Sequence, residues 1–544
     1  MSRVINTWIG KDWLNWLYCV SIFVFVVSII SINYLGCVWY NFDMYSDMFV
    51  AEKMADSLSV IPQDWIFGNQ LYFFATPVLA ALFNLVFHNG FISMATASTV
   101  MMILVLAAFL WLSKLFFEKK SIIIGLFCIS GTFIFGNSAS QYTQGFQLFY
   151  TMASYYACYL IGILFHLGIY LRLKNKIKVS VFFWVIGVIL ALLLGMQSLR
   201  QTLVLYIPIC IMDLLFIIKM FFKKEKDKFG KHNLFNIITF IFNIVGYFLV
   251  KNLPVKQYTI IDSVGLPNSF SELSENFQLS LKSLLDITGI SYGSYGIKWL
   301  PLFCCSIIVL LFVVAALIFA IAKKELSPKT EILIFCYISL LSVLGVGVLL
   351  FKIRAIYLFV WFLIGVFSTM YVFSFIKRKK LKQILMVILL AVAAVNYLLN
   401  FIIDFSSYNN LKNDYTEIVD ELTAMGVNCI YNDFHTAPTI AACSDDKIVS
   451  GTVTFDYDSE SNGLLFPSRY LRSIDLFKNH DRYITCVVFS NWTMDALDSQ
   501  ASPEYKKRLF SGLDLIKEKE YTNIKYYFYM IIDESLIDYD YGNM

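Results

Sequence analysis

Charge is scarce in this chain: of 544 residues only 15% are Asp, Glu, Lys or Arg, with 5 histidines, 10 prolines and a net charge of +4. So small a balance gives no support to nucleic-acid binding, and so little charge is foreign to an ordinary soluble domain. There is no P-loop, GxGxxG or HExxH pattern, which leaves an ATP-driven pump or a zinc protease without its machinery. Internal repeats, low-complexity tracts and CxxC spacing are also missing.

What is abundant is apolar surface: 58% hydrophobic residues, 17% aromatic, and a mean hydropathy of +0.66. Crossing roughly 30 Å of hydrocarbon takes about 20 apolar residues in a helix. Runs of that kind predict eleven membrane helices near 15–37, 91–113, 121–137, 151–171, 179–196, 201–222, 233–251, 299–322, 331–351, 355–376 and 383–403. The first is too long for a signal-peptide core and lacks a small-residue cleavage site, so it reads as a retained helix. Most cysteines fall inside these runs as small buried hydrophobes. Cys429, Cys443 and Cys486 fall beyond them and read as unpaired thiols, with one disulfide as the alternative.

Lys and Arg collect on alternate connections: Lys114, Lys119 and Lys120; Arg172 to Lys178; Lys223 to Lys231; Lys323, Lys324 and Lys329; Lys377 to Lys382. The positive-inside rule makes these cytoplasmic, with the N-terminus inside and everything from Asp404 outside. Residues 71–88 are apolar too, but counting them as a crossing would move every later basic loop to the wrong face. They therefore read as an interfacial or re-entrant helix, the alternative being a twelfth span.

The expected class is thus an all-α polytopic membrane protein, residues 1–404, with outer loops 39–90 and 252–298. A soluble α/β domain follows at 405–544. Within it, 411–425 has helical spacing ending at Gly426, and 428–431, 447–454, 483–490 and 525–532 are β-rich.

Candidate chemistry lies on the outer side. Asp43 and Asp47 are four apart, hence on one face of any helical turn, and partial desolvation there would raise a carboxylate toward general-base range; the plainer reading is that acidic residues are common in outer loops. Arg200, Lys352 and Arg354 break the positive-inside pattern at outer helix ends. Guanidinium forks suit a lipid phosphate, while snorkelling toward headgroups is the alternative. Asp213 and His166, inside helices, read as structural, His435 as a surface residue, and 491–493 as a chance glycosylation pattern.

Taken together, one helix, an acidic outer loop (Tyr45-Ser46-Asp47-Met48-Phe49-Val50-Ala51), an aromatic-Pro segment (Leu71-Tyr72-Phe73-Phe74-Ala75-Thr76-Pro77), many helices and an outer Arg354 shortly before Tyr357 resemble the GT-C membrane glycosyltransferases. That superfamily includes protein O-mannosyltransferases and bacterial aminoarabinose transferases. The resemblance implies an integral-membrane glycosyltransferase that takes a sugar from a polyprenyl-phosphate donor to a glycan, lipid or protein acceptor on the outer face of a bacterial membrane. It implies Asp47 as base with Asp43 as helper. Arg354 and Arg200 would hold the phosphate, with Lys352, Asp64, Gln70, Tyr72 and Tyr357 completing the substrate-binding set. The chain departs from members that show adjacent acidic residues. No cofactor or metal is expected, although Asp43 and Asp47 could share a divalent cation. Competing readings are a flippase or transporter, a polymerase of lipid-linked saccharides, and a wall-binding scaffold.

Overall fold

Long apolar runs have one low-energy form in hydrocarbon, the helix, because every backbone donor and acceptor must be satisfied within the segment. The computed structural model describes residues 2–36, 42–63, 65–67, 71–130, 152–223, 230–252, 266–290, 300–322, 327–350, 353–433, 436–444, 447–455, 465–467, 472–473, 476, 479–521 and 525–537.

Over their described residues the predicted membrane runs fall on helices; residues 131–137 of the third run lie outside the described residues. Among the described residues 7 are long and apolar enough to cross a bilayer: Asn15–Tyr34, Gly90–Phe116, Ala153–Lys174, Lys231–Lys251, Leu300–Ala322, Pro328–Leu350 and Ala355–Phe375. Val181–Gln197 and Thr202–Ile218 are shorter apolar helices. Ala153–Lys174 and Ala355–Phe375 are the most enclosed and form the heart of the bundle. Polar ties cross between helices: the His166 ring lies with one nitrogen 2.8 Å from the Gly162 carbonyl of its own helix and the other 2.9 Å from the Gly187 carbonyl of the next, and Asp213 accepts from the Tyr170 hydroxyl. Asp213 thus has a tyrosine partner, one of those the sequence reading named for it.

The basic connections gather on one face. Lys174 pairs with Glu331 at 3.0 Å, Lys382 with Glu118 at 3.6 Å, and Lys119 donates to Asn15 of the first helix. Helix α1 (Ser2–Gly36) thus starts on the same face as the alternate basic loops. The segment after it, α2 (Phe42–Ser57), lies at the other end of the bundle beside α3 (Thr76–Phe87) and α4 (Gly90–Phe116). With 12 residues, α3 is about 18 Å long, too short to cross. Leu82, Leu85, Val86 and Phe87 on it are exposed.

Two helices meet with almost no space between them. A Cβ on Gly195 of Val181–Gln197 would collide with the Asn243 carbonyl, and one on Gly246 with that of Leu192. This contact, with Asn243 donating to the Ala191 carbonyl at 2.9 Å, seats the helix end that leads to Arg200. Gly195→Leu is expected to cost about 3 kcal/mol through overpacking, seen as a lowered unfolding temperature of the purified protein.

Three features differ from the sequence expectation. The 252–298 region contains a 19-residue helix, Phe270–Thr288, capped by the Ser269 side chain. It is inverted, with Asn276, Ser280, Ser283 and Asp286 buried and Phe277, Leu281 and Leu285 exposed, so hydropathy along the chain could not reveal it. The expected helices 383–403 and 411–425 are one helix, Lys379–Ala424, 46 residues and about 69 Å long. Polar residues after Asp404 end the apolar run without breaking the backbone hydrogen bonds. Finally, the tail holds three strands the sequence reading missed, Leu465–Pro467, Arg472–Ser473 and Leu513–Glu520.

The long helix ends where it was expected to. Gly426 takes φ +74°, its N–H reaches the Thr423 carbonyl and that of Val427 reaches Leu422, a glycine-dependent C-terminal cap. Among the described residues, one short strand precedes it, β1 (Trp65–Ile66), and seven follow: β2 (Cys429–Asn432), β3 (Val449–Phe455), β4 (Leu465–Pro467), β5 (Arg472–Ser473), β6 (Thr485–Ser490), β7 (Leu513–Glu520) and β8 (Lys525–Ile531). Six form one sheet in the order β4-β3-β2-β6-β8-β7, with β2 parallel to β3 and β6. One sheet face packs Cys429, Tyr431, Val487 and Phe489 against Leu497, Tyr505 and Leu509. The other packs Ile430, Cys486 and Val488 against Ile418, Val419 and Leu422 of the long helix. Cys429, Cys443 and Cys486 are not in disulfides. Within residues 491–493, Asn491 accepts from the Lys525 N–H and the Thr493 hydroxyl donates to Asp433 at 2.7 Å, so the pattern serves the fold. His435 lies outside the described residues.

Candidate active site

Asp43 opens α2 in its first turn, where a carboxylate suits the helix dipole. Asp47 follows one turn later. The two carboxylates thus share a face, and that face turns inward: Asp47 is 1% exposed. The Tyr72 hydroxyl donates to its Oδ1 at 2.6 Å. Its Oδ2 is buried and has no hydrogen-bond partner among the described residues.

Burial sets the protonation of the pair. It raises Asp47 to about 8; the Tyr72 hydrogen bond lowers it and the neighbouring Asp43 charge raises it further. Asp43 is raised by burial to only about 6, because the charges of Arg354 and Arg200 lower it. The electrostatic order is therefore Asp47, then Asp43, then the two arginines.

Arg200 stands just after Val181–Gln197, at the entry to a π-helical turn, Thr202–Tyr206. Its guanidinium lies 5.7, 5.8, 6.0 and 5.9 Å from the rings of Tyr155, Tyr156, Tyr159 and Tyr357. Electron-rich ring faces hold a cation without neutralising it. Tyr155 and Tyr156 belong to a second π-helical turn, Met152–Tyr156. Such turns re-aim side chains and recur at functional sites. Arg354 is exposed and starts the 3-10 turn Ala355–Leu358, and Phe359 just beyond it stacks on Tyr156 at 4.7 Å. Helix Phe270–Thr288 braces that turn, with Ser283 donating to the Ile353 carbonyl at 2.9 Å.

The structure thus gathers Asp43, Asp47, Tyr72, Arg200, Arg354 and Tyr357. Asp64, Gln70 and Lys352 lie outside the described residues. Sequence reading missed Tyr155, Tyr156 and Tyr159. Their spacing places them on one helix face, but in a chain with 33 tyrosines that signal is easily taken for packing. Among the described residues no group of three His, Cys, Asp or Glu side chains converges to hold a metal.

Replacing Tyr72 by Phe removes a hydrogen bond that favours ionised Asp47. Any activity that needs this carboxylate ionised should then require a pH about one unit higher, read from the acid limb of a pH profile.

The chain is thus a polytopic helix bundle with an acidic segment and two arginines at one end, followed by an α/β domain. No protein-family model matches the chain, and no curated protein matches it. Among solved structures it is similar to ArnT from Cupriavidus metallidurans bound to undecaprenyl phosphate, with a TM-score of 0.50 and 10% identity over 95% of this chain and 98% of that one. The apo state of the same ArnT gives a TM-score of 0.52, again at 10% identity over 95% and 98%. ArnT is an aminoarabinose transferase of the GT-C type. The shared fold spans membrane helices and tail alike.

Proposed function

We propose that this protein is an integral-membrane glycosyltransferase that moves a sugar from a polyprenyl-phosphate donor to an acceptor hydroxyl, with the site and the tail domain on the outer face of the membrane. The observation that carries the reading is the electrostatic series itself: a buried, proton-avid Asp47, an intervening Asp43, and arginines at the mouth of the same site. The fold shared with an ArnT that holds undecaprenyl phosphate supports the donor class.

The chemistry balances within these groups. The acceptor oxygen attacks the anomeric carbon as the bond from that carbon to the phosphate oxygen breaks. Its proton passes to Asp47 Oδ2, the lone pair that no described residue uses. Asp43 helps by holding the arginines and by raising the proton affinity of Asp47. Arg354 and Arg200 take up the charge that develops on the departing polyprenyl phosphate, a role worth about 3 kcal/mol for a donor shielded from water, as Arg200 is by its tyrosines, and less for the exposed Arg354. A single displacement inverts the anomeric carbon.

Native mass spectrometry of the protein purified in lipid tests this. A polyprenyl phosphate bearing one sugar, displaced by added C55 polyprenyl phosphate, supports it. Ordinary phospholipid alone, with no uptake of C55 polyprenyl phosphate, overturns it.

A further inference from the structure

Two contacts among the described residues join the tail domain to the carboxylate-bearing segment. On α2, at 100° per residue, Asp43 and Asp47 point one way and Tyr45 and Met48 about 150° away. Tyr45 and Met48 are buried in one cluster with Ala442 of the tail helix Ala437–Cys443, with Phe49 and Phe91 packed around them. The tail therefore presses on the back of α2 while the carboxylates face the bundle.

The second contact is a strand pair. β1 runs antiparallel to β5, Trp65 opposite Ser473 and Ile66 opposite Arg472. A pair this short has little stability of its own. It persists because Trp65 is buried with Phe67, Leu71 and Tyr72, and with Val50 and Met54 of α2. Tyr72 in turn donates to Asp47. Both contacts thus end on the residues that orient Asp47, and neither includes Arg200 or Arg354.

We infer that the tail domain is a positioning clamp for the carboxylate pair, in which Ala442 backs α2 and the Arg472–Ser473 strand anchors Trp65, so that proton removal depends on the tail and lipid-phosphate binding does not. The consequence for turnover rests on the transfer reading above; the mechanical coupling does not. Ala442 and the β5 residues are positioning residues, since they reach the reacting atoms only through α2, Trp65 and Tyr72.

The test uses the full chain in lipid nanodiscs, comparing wild type with Ala442→Arg, with the double change Arg472→Pro and Ser473→Pro, and with Ala442→Ser as the conservative control. Hydrogen exchange of residues 42–57, affinity for C55 polyprenyl phosphate, and the kcat and KM of transfer are read together. Exchange in α2 should rise and kcat should fall about tenfold in the first two proteins, while polyprenyl-phosphate affinity and donor KM stay within about twofold and Ala442→Ser behaves as wild type. Unchanged exchange in α2 overturns the clamp, and so does lipid affinity falling in step with kcat. Faster exchange in a protein whose wild type transfers no sugar upholds the clamp and removes the transfer reading instead.

Discussion

Asp47→Asn should abolish transfer while leaving the protein folded and, above neutral pH, more heat-stable than wild type. A positioned general base contributes about 10²- to 10⁴-fold, so kcat should fall by about 10³ with donor affinity little changed. Asparagine keeps an oxygen for the Tyr72 hydroxyl and loses only the proton acceptor. The stability gain follows from linkage. Burial raises Asp47 from 3.8 to about 8, so between those values the unfolded chain binds fewer protons than the folded one, and wild-type stability declines as pH rises through that window. The variant has no such carboxylate. Its advantage should vanish toward pH 4 and grow to a plateau above pH 8, measured by thermal unfolding of both proteins across pH. An inactive variant that is also less stable at every pH would point to lost packing instead of a lost base.

Arg200→Met should have the second largest effect, on the lipid. Among Tyr155, Tyr156, Tyr159 and Tyr357, the guanidinium is the cation that lowers Asp43 and that the proposed reaction assigns to the phosphate. A charge-assisted bidentate bond is worth about 3 kcal/mol, so affinity for C55 polyprenyl phosphate should fall by about 10²-fold. Asp43 should titrate higher in consequence, since one of the two charges lowering it is gone. Arg200→Lys should recover the electrostatic part but not the fork geometry, leaving affinity between the two. Arg354→Met, at an exposed position, should cost about tenfold. Equal lipid binding by Arg200→Met and wild type would detach Arg200 from the donor.

Much of this was legible in the residues because bilayer physics is coarse. Length and hydropathy placed the runs on helices, seven of them among the described residues long and apolar enough to cross a bilayer, since burial of apolar surface is a single large free-energy term. Asp43, Asp47, Arg200 and Arg354 stood out as charges where charge is costly. What stayed hidden depends on orientation. Tyr155 and Tyr156, which the sequence reading did not single out, reach Arg200 from the π-helical turn at Met152–Tyr156. Phe270–Thr288 reads as a polar loop because its buried face is the polar one. The strand Leu513–Glu520 carries Lys517 and Lys519, which pair with Glu417 and Glu421 on the long helix, a partner some hundred positions away that no local pattern announces.

The most direct measurement of the account is the single-turnover rate of sugar transfer against pH, with donor saturating. With Asp43 near 6 and Asp47 near 8 as one coupled pair, the rate should climb as pH rises through that interval and level off above it. A rate that stays flat from pH 5 to pH 9, with chemistry shown to be the slow step, would contradict a buried carboxylate as the group that takes the proton.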